Sequence, residues 1–191
     1  MHVTIATIAE LGYPRTSFAA IAERGGLSST RLISYHFDDR AELMREVAAT
    51  IVNDLGAAVA ARMQPAQSPR VALHAYLRAN IDYVDSHRPE MIALATLMFA
   101  GALGPDAADA GASTERAIAG LISAGTRAGE FGPIDPDIAA RVLQRTVEGI
   151  ALSVHRDPDV DLSTLGDDLI TFVEMGLRPR HERPSRDVSG P

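Results

Sequence analysis

Cysteine and lysine are among the residue types missing from this chain of 191 residues, and each of these two absences excludes a class of site. Without cysteine there are no disulfides, no thiolate metal ligands and no cysteine nucleophile. Because all 18 basic residues are arginine, there is also no phosphate-loop lysine and no Schiff-base lysine. No apolar run approaches the roughly 20 residues that a membrane helix needs, and the N-terminus lacks the basic start and apolar stretch of a signal peptide. We therefore expect a cytoplasmic protein with no membrane partner.

Positive charge is also scarce, and it is unevenly distributed. The formal net charge is -7. Residues 1–45 carry five arginines and five acidic residues, whereas residues 46–191 carry 13 arginines and 20 acidic residues. The negative excess therefore lies entirely after residue 45. A neutral N-terminal segment is a weak electrostatic signal for a nucleic-acid partner, whose backbone is polyanionic.

The spacing of apolar residues predicts an all-α protein. Apolar residues recur every three or four positions, and no run rich in β-branched residues alternates with a period of two. A polar, proline-containing segment at residues 64–69 (QPAQSP) predicts a boundary between a small N-terminal unit and a larger remainder. Five helices are predicted after it, at residues 70–86, 89–102, 113–129, 136–155 and 162–177. Residues 178–191 contain almost no apolar side chain and are predicted to form a disordered tail.

Four helices are predicted before that boundary. The first ends at Gly12, and the second runs to Arg24 after an N-cap at Thr16 or Ser17. A third helix follows Ser28, and a fourth spans residues 39–63.

The second and third of these helices are joined by a glycine turn. Glycine tolerates the left-handed conformation that ends a helix, so Gly25 and Gly26 allow a sharp turn there. Leu27 is expected to tuck inward and Ser28 to cap the next helix. Two short helices joined in this way form a helix-turn-helix, whose second helix enters the DNA major groove. The same residues also fit an ordinary tight loop followed by a capped helix.

The third helix is expected to have one core face and one outer face. Leu32 and Tyr35 are predicted to pack inward against Ile21 and Ala22 of the preceding helix. The short or polar side chains left outside are Ser28, Ser29, Thr30, Arg31 and Ser34. Small hydroxyl side chains let a helix approach bases closely, and Arg31 offers a bidentate fork to guanine.

The segment from residue 6 to residue 43 resembles the N-terminal domain of the TetR family of bacterial transcriptional regulators. The matching residues, in chain order, are Gly12, Tyr13, Thr16, Ser17, Ile21, Ala22, Gly26, Leu27, Ser28, Tyr35, His36, Phe37, Asp39, Arg40, Glu42 and Leu43. The resemblance implies an all-helical fold, with a DNA-binding domain at residues 1–45, a connecting fourth helix at 39–63, and a ligand-binding and dimerisation domain at 64–177. Two departures stand out: the stretch 27–37 is one residue longer than the commonest family form, and Met1 lies almost at the start of the first helix, where many members have a basic arm.

The resemblance also implies which side chains lie near DNA. It places the recognition helix at about residues 28–34. The candidates are Thr16, Ser17, Ser28, Ser29, Thr30, Arg31, Tyr35, His36 and Arg40. Thr16 or Ser17 would contact phosphate, and Arg40 occupies the place of a family lysine that pairs with phosphate. His36 has a second interpretation, in which it only packs at the helix end.

The apolar faces of the last two predicted helices fit a monomer core or, by the resemblance, a four-helix dimer interface; we expect a homodimer. The candidate lining of an effector pocket is His74, Tyr83, Met91, Leu94, Met98, Phe99 and Arg145. Such apolar stripes are also typical of core residues, and Arg145 also fits a solvent-facing pair with Glu148. No residue identifies the effector.

No catalytic motif is present, so we expect neither an enzyme nor a cofactor or metal site. The sequence favours a DNA-binding regulator, with repression relieved by a small molecule. The alternative from another class is a helical protein-interaction module whose DNA binding has decayed, which the neutral N-terminal segment keeps open.

Overall fold

The fold is all-α, as expected from the spacing of apolar residues. This computed structural model describes residues 1–64 and 66–179, without the side chains of residues 105–110. Most of the predicted tail, residues 180–191, lies outside the described residues. In the described ranges there is no strand, and the helices are α1 (His2–Leu11), α2 (Phe18–Arg24), α3 (Arg31–His36), α4 (Arg40–Met63), α5 (Pro69–Ser86), α6 (Arg88–Phe99), α7 (Pro105–Arg127), α8 (Pro136–Arg156) and α9 (Leu162–Leu177). We refer to residues 1–45, which contain α1–α3 and the first turns of α4, as the head and to α5–α9 as the body.

The later helices agree with prediction except at two ends. The predicted α7 start at residue 113 was wrong, because the helix begins at Pro105. Proline needs no hydrogen-bond acceptor in the first turn of a helix, and the alanine-rich stretch after it has high helix propensity. The predicted α6 end at residue 102 was also wrong: the helix ends at Phe99, because Gly101 takes a positive φ of 66° and reverses the chain.

Two groups of buried side chains hold the fold together. The first contains the fully buried Ile8 of α1, Met44 of α4 and Leu97 of α6. The second contains Leu77 of α5 and Ile122 of α7, together with buried residues of α8 and α9. Because α1 packs directly on α6, the head shares its core with the body rather than having one of its own.

Candidate nucleic-acid interface

The turn between α2 and α3 has the hydrogen bonds of a Schellman motif. The Leu27 N–H donates to the Ala22 carbonyl at 2.8 Å, and the Gly26 N–H donates to the Glu23 carbonyl at 3.1 Å. Gly26 has a backbone φ of 65°, which residues with a Cβ atom rarely adopt. The glycine pair therefore ends α2 and redirects the chain toward α3, as the sequence predicted.

The predicted inward face of α3 was wrong. Leu32 is 57% exposed and Tyr35 is 81% exposed, whereas Ile33 and Phe37 are partly buried and pack against the first core. The helix also starts later than predicted, because α3 begins at Arg31 and not directly after Ser28. The inward pair is spaced i and i+4, which brings two side chains onto one helix face, and this face packs on the first core.

The outer surface of α3 consists of five exposed side chains, Arg31, Leu32, Ser34, Tyr35 and His36. Arg31 and Tyr35 are four residues apart and so lie one above the other on the side away from Ile33. The His36 ring meets the Tyr35 ring edge-on, with 5.1 Å between centroids. This surface presents one guanidinium group, one imidazole and two largely apolar side chains.

The predicted hydroxyl contacts divide between the start of α3 and the helix itself. Ser28 and Ser29 lie in the turn, and the Ser29 hydroxyl accepts a 3.4 Å hydrogen bond from the Arg31 N–H. Thr30 is the N-cap residue of α3 and is half-buried. The Ser34 hydroxyl donates to the carbonyl of Thr30 at 3.2 Å. Ser28 and Ser29 therefore flank the helix rather than project from it.

One of the two proposed phosphate contacts at the start of α2 is ruled out. Thr16 is fully buried, and its hydroxyl donates to the Gly12 carbonyl at 2.9 Å, so it cannot reach a ligand in solvent. Ser17 is exposed, and its hydroxyl caps α2 by accepting from the Ala20 N–H at 3.1 Å. Only Ser17 and the N-terminus of α2 are left to meet a phosphate here.

Arg40 has a structural partner that the sequence did not reveal. Its Nη2 donates to the Tyr13 carbonyl at 2.5 Å, and its guanidinium carbon lies 4.0 Å from the centre of the Tyr13 ring. The Nε atom is buried without a hydrogen-bond partner. Arg40, the first residue of α4, therefore binds the segment after α1, and part of its guanidinium group is already engaged.

The electrostatic field of the head is weakened by internal pairing. Arg24 forms an ion pair with Glu10 of α1, and the hydrogen bond to this guanidinium lowers the pKa of Glu10 below the usual value. Both groups are exposed, so the pair contributes little to stability. Its consequence is for binding, because one of the five head arginines is already neutralised.

An apolar groove of about 300 Å³ lies beside α3 in the head. Its walls come from α1, α2, the glycine turn, α3 and the start of α4, and Leu27 and Leu32 are among the residues that line it. Leu27, predicted to tuck inward, is 38% exposed.

The residues predicted to line an effector pocket are not gathered around one cavity. Tyr83 and Met91 are buried in the first core, and burial raises the pKa of Tyr83 to about 12. Leu94 packs against the same core, while Met98 and Phe99 are exposed. His74 borders a different space, a cavity of about 10 Å³ next to α9, which has room for about one water molecule.

Arg145 belongs to a polar network that runs from the body core to the surface. The buried Tyr76 hydroxyl donates to Gln144 at 2.7 Å, and Gln144 donates to Glu148 at 3.1 Å. Arg145 then pairs with Glu148 and, at 2.8 Å, with Glu115 of α7. Arg145 is thus one of a solvent-facing group of ion pairs, which was the second of its two predicted roles.

The last two helices leave large apolar side chains exposed. Leu143 and Val147 of α8 and Val173 of α9 are buried in the second core. On the outer side, however, Ile138, Val142, Phe172 and Met175 are 57% to 73% exposed. We call these four residues the apolar stripe of α8 and α9. Large apolar side chains exposed on two successive helices are candidates for an interaction surface.

Neither a membrane span nor a metal site is found in the described ranges. No helix there is long and apolar enough to cross a bilayer. No group of three or more His, Asp or Glu side chains there is placed to hold a metal ion.

These features define an all-α protein with an N-terminal helix-turn-helix. No protein-family model matches the chain. It is 34% identical over 92 residues to the HTH-type transcriptional regulator BetI of Burkholderia mallei (strain NCTC 10229), which is 48% of this chain and 47% of that protein. BetI of Burkholderia ambifaria (strain MC40-6) matches to the same extent. The matched region thus spans about half the length of these curated relatives.

Solved structures match over nearly the whole chain. A TetR-family regulatory protein from Rhodococcus RHA1 has a TM-score of 0.78 at 19% identity, covering 94% of this chain and 95% of that one. The ketosteroid transcriptional regulator KstR2 of Mycobacterium tuberculosis has a TM-score of 0.76 at 17% identity, covering 94% and 93%. A TetR transcription regulator from Haloarcula marismortui has a TM-score of 0.79 at 15% identity, covering 92% and 94%. The fold is therefore that of TetR-family transcriptional regulators, and the resemblance seen at residues 6–43 is confirmed.

Proposed function

We propose that this protein is a sequence-specific DNA-binding transcriptional regulator, with residues 1–45 as the DNA-binding domain. The observation that carries the proposal is the geometry of α3. Ile33 and Phe37 anchor this short helix in the core, so that Arg31, Ser34 and Tyr35 project from the molecule. A helix presented in this way after a glycine turn fits the DNA major groove, where Arg31 would bind the O6 and N7 acceptors of guanine.

The regulator acts as a homodimer in this proposal, through the apolar stripe of α8 and α9. The stripe is on the body, so pairing leaves the head free. A two-fold dimer presents two copies of α3 to two half-sites of a palindromic operator. This doubling matters for a neutral head, whose single copy lacks a strong electrostatic attraction to DNA.

Residues 64–177 are proposed to bind a small-molecule effector that releases the operator. The support is the shared core: α1 packs on α6, so a shift of α6 changes the support of the head. Consider a ligand that binds more tightly to a conformation in which the two α3 helices do not match the spacing of the half-sites. Such a ligand must weaken DNA binding by the same coupling free energy by which DNA weakens binding of the ligand. A regulator that works in this way would act in the cytoplasm, as a repressor.

Fluorescence anisotropy of the full chain tests this proposal. The probe is duplex DNA from the intergenic region beside the protein's own gene, with scrambled duplex as competitor, at several salt concentrations. We expect binding that resists the scrambled competitor, with two protomers on each palindrome. A log-log salt slope shallower than that of strongly basic binders is also expected, because few phosphates are neutralised.

Weak binding that is equal for genomic and scrambled DNA would contradict the proposal. Since part of the interface could lie before Met1, the same measurement is made on a chain started upstream. Equal binding of both DNAs by both chains would favour the helical protein-interaction module.

A further inference from the structure

The exposed face of α3 is unusually apolar for a surface that meets nucleic acid. Of its five exposed side chains, Leu32 and Tyr35 are large and mostly hydrocarbon, at 57% and 81% exposure. They are three residues apart, so they are neighbours on the helix surface, and Arg31, four residues before Tyr35, is the neighbour of Tyr35 on its other side. The three side chains together make one continuous surface with a single charge.

Nothing within the described fold covers this apolar surface. Ile33 and Phe37 fill the place beneath α3 in the first core. Leu32 borders the head groove on one side, yet more than half of its surface stays in solvent. Tyr35 is not among the residues that line the groove, and its ring meets the His36 ring edge-on.

The major groove of DNA contains one apolar group that such a surface can contact. Guanine, cytosine and adenine present hydrogen-bond donors and acceptors there, whereas thymine also presents its 5-methyl group. Arginine specifically binds guanine in the same groove. Resting on the proposed function, we infer that Leu32 and Tyr35 read thymine methyl groups next to a guanine read by Arg31.

The spacing of the three residues limits where those thymines lie. Residues 31 and 35 are separated by about 6 Å along the helix, at about 1.5 Å per residue. Successive bases are about 3.4 Å apart along a strand. Each operator half-site should therefore contain a thymine within about two base pairs of the guanine.

The charge of the head also favours base contacts over phosphate contacts. Residues 1–45 contain five arginines and five acidic residues, and Arg24 and Arg40 are already engaged by Glu10 and Tyr13. With few cations free for phosphates, apolar contacts supply a larger share of the affinity. Loss of a single methyl group should therefore be measurable.

The test begins with selection of a preferred duplex from random DNA by the full-length protein. Each thymine in the selected site is then replaced by deoxyuridine, which lacks only the 5-methyl group. At the positions read by Leu32 and Tyr35, we expect the wild-type Kd to rise about four-fold, the effect of one apolar carbon removed from a buried contact.

Variants assign each methyl group to its side chain. The Leu32→Ala variant should bind duplexes with thymine or deoxyuridine at one position with the same Kd. Tyr35→Ala should abolish discrimination at another position, whereas Tyr35→Phe should retain it because the ring is kept. Val71→Ala is the matched control, because Val71 is a half-exposed apolar residue of α5. The three side chains changed in these four variants are at least half-exposed, so thermal melting should confirm unchanged folding.

The outcomes separate the inference from the function it rests on. If a specific duplex is selected but wild-type protein binds the thymine and deoxyuridine forms equally at every position, the inference is overturned and the regulator stands. The same holds if Leu32→Ala and Tyr35→Ala retain the full discrimination. If selection enriches no sequence, the proposed function fails and the inference fails with it.

Discussion

Truncation of Phe172 should weaken the proposed dimer by a predictable amount. This side chain belongs to the apolar stripe and is 73% exposed in a single protomer. Full burial of a phenylalanine contributes about 1.5–3 kcal/mol, so covering the exposed part contributes about 1–2 kcal/mol. A two-fold axis places both copies of Phe172 in the interface, which doubles the effect to about 2–4 kcal/mol. Phe172→Ala should therefore raise the dimer dissociation constant about 30- to 700-fold.

Sedimentation equilibrium of the purified protein measures this constant directly. Tyr35→Ala is the matched control, since it truncates an aromatic side chain that is 81% exposed but lies on α3 in the head. It should leave the dimer constant unchanged, and Phe172→Ala should leave the far-UV circular dichroism unchanged. If both variants associate as wild type does, or if wild-type protein is monomeric at micromolar concentration, the apolar stripe is not the dimer interface.

Two further predictions concern the fold. A Cβ added at Gly125 would lie 2.2 Å from the buried Phe131 ring, so Gly125→Ala should lower the free energy of unfolding by about 1–3 kcal/mol. At Gly120 of the same helix the added Cβ meets nothing within 4 Å, and Gly120→Ala should raise that free energy by about 0.5–1 kcal/mol. If urea unfolding showed that both variants change the free energy of unfolding in the same direction, the described packing of Gly125 against Phe131 would be refuted. Because the hydrogen bond from Arg24 lowers the pKa of Glu10, the ion pair contributes stability above the usual pKa of glutamate and loses it as pH falls through the lowered value. Arg24→Ala should raise the pKa of Glu10 in an NMR titration, and an unchanged pKa would show that the pair does not form in solution.

Much of the fold was predictable because local signals and packing agree. Asp39 was predicted to open α4, and its side chain accepts the Glu42 N–H at 2.7 Å as an N-cap. Asp135 likewise accepts from two N–H groups at the start of α8, with Pro136 in the first turn. Such caps act within one helical turn, so a sequence shows them directly.

The orientation of α3 was not predictable by the same means. Leu32 with Tyr35 and Ile33 with Phe37 are both apolar pairs at helical spacing, and the choice between them depends on where the helix starts. The serine-rich segment before α3 contains several possible N-cap residues, and Thr30 rather than Ser28 precedes the first helical residue. Tertiary packing under α3 decides the matter, because Ile33 and Phe37 fill the space against the first core and Leu32 is left outside.

Contacts between distant segments were also missed. The Tyr13 partner of Arg40 lies 27 positions earlier in the chain, and Glu130 accepts from the Arg70 N–H across 60 positions. The spacing of apolar residues within one helix carries no information about such pairs. That the predicted effector residues do not share one cavity has a related reason, since apolar spacing marks a buried face without showing whether a cavity or another helix covers it.

The Arg31→Ala variant tests whether α3 reads bases. Anisotropy titrations would compare wild type and variant on the selected duplex and on a scrambled duplex at one salt concentration. The expected result is a loss of selectivity of about 5- to 150-fold, the effect of one bidentate arginine–guanine contact, while binding to scrambled DNA changes far less. Arg116→Ala, which removes an exposed arginine from α7, should leave selectivity unchanged. An Arg31→Ala variant with the selectivity of wild type would contradict the account.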